Sequence, residues 1–213
     1  MIVPPDDFLP RVKAITETNG VPPIVDEVQT GFGRTGKWFA SEWSGVTPDV
    51  VTMGKALGGI GLPLSGILFS EDLDTWDPGA HTGTFRGDLA AMRAGLRAIE
   101  YVEAHDLLKH TRELGGFLRS RLEEIAAGTP LIGDVRGRGL LIGAEFVGPD
   151  IDPGDAVSAV RKHCYERGVL TWKAGRDGEV LRPLPPLVMT HEQAERRLDV
   201  IEGAIREVSR SSG

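Results

Sequence analysis

Two residues of opposite charge stand out by type and setting: Asp26, closing the run Pro22-Pro23-Ile24-Val25, and Lys55, just past Pro48-Asp49-Val50-Val51-Thr52-Met53. Both runs are short, β-branched and not alternating, the pattern of buried parallel strands. In an open α/β sheet the carboxyl ends of neighbouring parallel strands flank the crevice where ligands bind. An acid and an amine at those ends can face one ligand from two sides. A lysine amine adds to a carbonyl carbon, and a carboxylate keeps a proton on a basic ring nitrogen; a cofactor that needs both is pyridoxal phosphate. Taken alone, the same two residues serve at least as well as a buried Asp–Lys ion pair.

Other patterns point to chemistry less well. Gly31-Phe32-Gly33-Arg34-Thr35-Gly36 matches G-x-G-x-x-G, but a dinucleotide fingerprint opens an apolar helix directly after a strand. Here Asp26 and Glu27 stand at the strand end and Lys37-Trp38-Phe39 follows, so two carboxylates would repel a pyrophosphate. The five histidines, His81, His105, His110, His163 and His191, show neither H-x-x-x-H nor H-E-x-x-H spacing, and no metal site is expected. Ser65 lies in Leu-Ser-Gly rather than in the G-x-S-x-G turn of a serine hydrolase.

The elements that would position Asp26 and Lys55 follow from periodicity. Phe8, Leu9, Val12 and Ile15 mark a helix ended by Asn19-Gly20, and Leu64 to Phe69 reads as a third strand. From Asp88 the apolar residues Leu89, Met92, Leu96, Ile99 and Val102 recur at helical steps, with Arg93 and Arg97 outside. A second helix carries Leu107, Leu114, Phe117, Leu118, Leu122 and Ile125 and stops at Gly128-Thr129-Pro130. A domain boundary is placed near Asp106, giving domains 1–105 and 106–213. Beyond it, Leu131–Val135 and Leu140–Phe146 flank Arg136-Gly137-Arg138-Gly139 as a hairpin, and a helix is expected over Asp155–Arg167. Val169–Trp172 and Glu179–Arg182 flank Arg176-Asp177-Gly178 as another hairpin. The capping box Thr190-x-x-Gln193 then opens a last helix through Leu198, Ile201, Ile205 and Val208, and Ser209 to Gly213 reads as a frayed end. The fold class is α/β: a partial mixed sheet followed by a small α+β domain.

Composition bounds the function. The 213 residues are 40% hydrophobic and 26% charged with a net charge of −7, a folded chain whose acidity works against nucleic acid as a partner. One cysteine, Cys164, forms no internal disulfide and fits a reducing cytoplasm. The longest uncharged stretch, Ala56 to Phe69, is interrupted by glycines and a proline and is too short to span a bilayer. The N-terminus lacks the basic and apolar regions of a signal peptide.

The wider wording resembles a known family. Ile24 to Gly36, Asp49 to Gly59, Gly61-Leu62-Pro63-Leu64-Ser65-Gly66, His81-Thr82-Gly83-Thr84-Phe85-Arg86-Gly87 and Arg182-Pro183-Leu184-Pro185-Pro186-Leu187 are similar to the signature segments of the class III (ω-amino acid) aminotransferases of fold type I. His81 to Gly87 is most similar to the diaminobutyrate 2-oxoglutarate aminotransferases. The resemblance implies that Lys55 forms the imine with pyridoxal 5'-phosphate and then moves the substrate proton, that Asp26 holds the pyridinium nitrogen, and that Gln29 serves the ring oxygen region. It implies that Thr84 binds the cofactor phosphate across a homodimer and that Arg182 clamps the substrate α-carboxylate, a task suited to a planar, permanently charged fork. Amino-group transfer from a diamino or ω-amino acid to 2-oxoglutarate is the implied reaction. Family members are roughly twice as long, so the phosphate-cupping turn, the ring that stacks on the cofactor and most of the donor pocket are expected to lie in a half absent from this sequence. Asp88 stands where members often carry Asn. The alternative expectation is an inactive remnant or split half that acts only by association with a complementary or full-length chain.

Overall fold

The computed structural model describes residues 1–59, 61–148 and 151–211. The chain divides into two compact units, Pro4–Leu108 and, from Lys109 onward, a second unit that also takes up Met1–Val3.

The first unit opens with helix α1 (Phe8–Thr18), which buries none of its side chains and is tied down by an ion pair of 2.8 Å from Lys13 to Asp49. Strands β1 (Ile24–Asp26), β2 (Val50–Met53) and β3 (Gly66–Phe69) form one sheet in the order β1-β2-β3. β1 and β2 run parallel with Ile24 opposite Val50 and Asp26 opposite Thr52, and β3 returns antiparallel. β3 is shorter than the run Leu64–Phe69 suggests because β2 ends at Met53, whose partner is Gly66, leaving Leu64 and Ser65 nothing to pair with.

Helix α2 (Leu89–Ala104) starts where Asp88 caps it, the carboxylate accepting a 2.8 Å hydrogen bond from Ala91 N–H. Asp performs the cap as Asn would.

Two expectations are corrected here. β1 is not buried: Ile24 is 66% exposed, since among the described residues nothing lies over it. Nor does α2 turn its largest apolar residues, other than Val102 and in part Ile99, inward. Ala91, Gly95 and Val102 are buried, while Leu89 is 81% exposed and Met92 and Leu96 are also exposed. The small side chains face inward because the chain after Lys55 runs against the helix backbone at that point.

Helix α3 (Leu107–Ala127) leads into the second unit, a four-stranded sheet in the order β4-β5-β7-β6 with every pairing antiparallel. β4 (Ile132–Arg138) and β5 (Leu141–Phe146) meet at a turn of Gly139 and Leu140. Arg136 and Arg138 therefore lie within β4 rather than in the turn. Helix α4 (Pro153–Glu166) begins earlier than Asp155 because Asp152 caps it, accepting from Asp155 N–H at 3.0 Å, with Pro153 in the first turn. β6 (Trp172–Ala174) and β7 (Val180–Arg182) form the second hairpin.

Helix α5 (His191–Ser211) opens on a reciprocal box: Thr190 N–H donates to the Gln193 amide oxygen at 3.1 Å and Gln193 N–H to the Thr190 hydroxyl at 3.2 Å. Ser209–Ser211 are helical, and Ser212 and Gly213 lie outside the described residues.

One face of this sheet packs the core. Leu114, Leu118 and Leu122 of α3, Val157, Val160 and Cys164 of α4, and Leu198, Ile201 and Ile205 of α5 close over Val135, Ile142, Phe146 and Leu181. Burial pushes the Cys164 thiol up to about 11, which keeps it an inert core residue.

Candidate active site

Asp26 and Lys55 mark the same end of adjacent parallel strands. Asp26 is the last residue of β1 and pairs in register with Thr52, and Lys55 follows Met53, the last residue of β2, by two positions. The Asp26 Oδ1 accepts from Val28 N–H at 2.9 Å and from the Thr52 hydroxyl at 3.1 Å. These bonds fix the carboxylate while Oδ2 has no partner among the described residues.

Lys55 is exposed, and its Nζ has no hydrogen-bond or ion-pair partner among the described residues. The reading of the two as a buried Asp–Lys ion pair is thereby set aside: both side chains are exposed and they are not bonded to each other.

Lys55 has φ +46, a left-handed conformation uncommon for a residue with a Cβ. Such strain clusters at sites where the surrounding structure holds a side chain for use. What holds it is a 3-10 turn over Lys55–Gly58, pressed against α2. A Cβ at Gly59 would stand 2.6 Å from the Ala94 carbonyl oxygen, and one at Gly95 would strike the Leu57 carbonyl oxygen. Gly95→Ala is therefore expected to cost about 1 to 3 kcal/mol of stability by overpacking. Denaturant unfolding measures that loss. Unchanged stability would show that the turn after Lys55 yields freely.

Glu27 is the residue whose role the sequence does not disclose. It is fully buried and its carboxylate accepts from Thr30 Oγ1, from Ala40 N–H at 3.0 Å and from Ser41 N–H at 2.8 Å. It thus ties the strand end to the far side of the glycine-rich loop, which leads into a 3-10 turn at Ala40–Ser44 rather than a helix. A strand-end carboxylate followed by a glycine loop was the available signal. Gln29 lies exposed in the turn between Glu27 and that loop.

Thr84 is exposed within 74–90, a segment with no buried or half-buried residue. The segment is held from within: Arg86 donates to the His81 carbonyl oxygen and lies 3.1 Å from His81 Nε2, and the His81 ring rests 5.8 Å from that of Trp76. Trp76 in turn packs at 5.1 Å on Phe69, the end of β3.

Arg182 belongs to the second unit, at the end of β7. Its Nε and Nη2 are buried and have no hydrogen-bond partner among the described residues. Burial lowers its pKa below the ordinary arginine value, with no carboxylate to offset the lost hydration. A guanidinium remains charged at neutral pH all the same, so this is a half-buried cation, with two of its nitrogens unsatisfied, that wants an anion.

Among the described residues no group of three or more His, Cys, Asp or Glu could hold a metal ion, and no helix is long and apolar enough to cross a membrane.

Known proteins with this wording and this shape make a consistent set. The chain is 43% identical over 214 residues to the diaminobutyrate–2-oxoglutarate aminotransferase of Rhizobium meliloti, covering 96% of this chain and 44% of that protein. It is equally 43% identical, over 212 residues, to a leucine/methionine racemase of Thermococcus litoralis, covering 98% of this chain and 47% of that one. It spans about half the length of the curated relatives it matches. Among solved structures, a transaminase from the marine bacterium Virgibacillus superposes with a TM-score of 0.93 at 28% identity, covering 100% of this chain and 51% of that one. The ornithine δ-aminotransferase of Plasmodium falciparum gives 0.89 at 31%, covering 99% and 54%. The two sheets found here are those of the C-terminal part of a fold type I aminotransferase. The family described as aminotransferase class-III matches residues 1–205, and this chain belongs to it.

Proposed function

We propose that the chain carries one side of a pyridoxal-phosphate site that transfers an amino group from a diamino or ω-amino acid to 2-oxoglutarate. The observation that carries this reading is the unbonded Lys55 Nζ beside a strand end where Asp26 is fixed by Thr52 with one oxygen left over. An amine and a carboxylate at adjacent strand ends are groups that pyridoxal phosphate requires, and an unpaired guanidinium is one that an amino acid carboxylate requires. Bound there, the cofactor supplies an electron sink for the pair left on a substrate carbon that has lost its proton.

The remaining chemistry belongs to the chain. Lys55 would hold the cofactor through its Nζ, and that amine, once released, would take the proton from the substrate carbon and return it. The Asp26 carboxylate keeps the cofactor ring nitrogen protonated by hydrogen bonding to the charged form. Gln29 serves the ring oxygen region, Thr84 the phosphate across a homodimer, and Arg182 the substrate α-carboxylate. Residues 1–105 then act as the cofactor-binding part and 106–213 as the small domain.

The reading is tested by borohydride reduction in the presence of pyridoxal phosphate, followed by peptide mapping. The label is expected on Lys55. Label spread evenly over Lys13, Lys37 and Lys109 refutes the assignment.

Two observations support further readings. A racemase is as similar as an aminotransferase, and it would use the same amine and acid to remove the proton, with return to the opposite face from a second donor; inversion of a single enantiomer without glutamate formation would select it. The exposed apolar residues Ile24, Ile67 and Leu68 of the first sheet support a chain that acts by associating with a complementary chain.

A further inference from the structure

A single row of residues crosses the face of the second sheet opposite its core. Arg136 of β4 pairs with Gly143 of β5, Gly143 stands beside Arg182 of β7, and Arg182 pairs with Trp172 of β6. Residues directly opposite across antiparallel strands share a face. A Cβ on Gly143 would meet Val180 Cγ1 at 2.7 Å and Met1 Cε at 3.2 Å, with Arg182 Cγ in ordinary contact at 3.6 Å, so a side chain there would crowd the valine and methionine beside the arginine.

The two arginines of the row differ. Arg136 takes both carboxylates within reach, Asp134 at 2.6 Å and Glu145, and also donates to the Met1 carbonyl oxygen. Arg182 has none, and its Nε and Nη2 are shut away from water. Beside it, Trp172 is 59% exposed on an edge strand of three residues. A large ring on an open edge next to an unpaired guanidinium is unexplained by packing.

We infer that Trp172 is the second element of the Arg182 site: the guanidinium takes a carboxylate, and the indole is the wall on which the methylene chain of an organic acid lies. The inference rests on Arg182 as the carboxylate residue and adds to it a selectivity for chain-bearing acids over small anions. Covering the ion pair with a ring also excludes water from it, which strengthens a charge-assisted hydrogen bond.

The test uses the 213-residue chain without cofactor. Calorimetric titration with 2-oxoglutarate and with acetate gives the affinity ratio for wild type, Trp172→Ala, Trp172→Phe and Arg182→Ala, and 5-fluorotryptophan labelling reports on the Trp172 ring. Wild type should prefer 2-oxoglutarate, with the Trp172 resonance shifting along the same curve. Trp172→Ala should cut that preference about tenfold, the size expected for uncovering one or two methylenes, and Trp172→Phe should restore most of it.

An unchanged ratio in Trp172→Ala, with binding still lost in Arg182→Ala, overturns the role of Trp172 and leaves that of Arg182 standing. Binding that survives Arg182→Ala overturns both.

Discussion

Given pyridoxal phosphate and 2-oxoglutarate, the 213-residue polypeptide by itself is expected to form glutamate from diaminobutyrate, ornithine or 4-aminobutyrate far more slowly than the roughly 1 per second of an ordinary enzyme. The residues proposed to react lie without enclosure. Asp26, Gln29, Lys55 and Thr84 are all exposed, and 74–90 has no residue packed beneath cover. Orientation and exclusion of water are worth several kcal/mol of a catalysed barrier, up to about 7 to 11. A cofactor held mainly through Lys55 forfeits much of that.

The same surfaces should drive association. Ile24, Ile67, Leu68, Leu89, Met92 and Leu96 are exposed apolar residues of the first unit, and β1 is a sheet edge. Sizing of the purified chain should show dimers or larger species. A monodisperse monomer that turns over any of the three donors at ordinary rates would show that this segment needs no further enclosure.

How far the sequence discloses this arrangement depends on which contacts decide each element. Local signals read correctly: the Thr190 and Gln193 box is a short-range pair of bonds, and β1 and β2 follow from β-branched runs whose parallel register brings Asp26 to Thr52. The inward face of α2 was not legible, because it is set by close approach of the backbone at Leu57 and Gly59 rather than by where the largest apolar residues fall. The role of Glu27 was hidden for a similar reason. Its partners at Ala40 and Ser41 lie 13 and 14 residues away, on a loop whose return is invisible to periodicity. The Arg182 motif was visible as wording, but not its isolation, since that depends on Arg136 capturing Asp134 and Glu145 on neighbouring positions of the sheet.

Arg182 supplies the second large effect. In an enzyme of the full length of the curated relatives, Arg182→Ala is expected to lose about 2 to 5 kcal/mol of apparent 2-oxoglutarate binding, the range for truncating one partner of a desolvated charge pair. Arg182→Lys should also be poor, because an ammonium presents a point charge in place of a planar fork. The same variants should behave oppositely in folding. A structural arginine stabilises through its bonds, but Arg182 has Nε and Nη2 buried without any, and burial lowers its proton affinity. A half-buried cation with two unsatisfied nitrogens and no counter-ion is a cost to the fold, so Arg182→Met, similar in length and apolar, should unfold at the same denaturant concentration as wild type or a higher one while losing the carboxylate. Added 2-oxoglutarate should raise the stability of wild type and leave that of Arg182→Met unmoved, since a ligand stabilises only the state that binds it. A methionine variant that unfolds earlier and still responds to 2-oxoglutarate would make Arg182 a structural residue and place the carboxylate elsewhere.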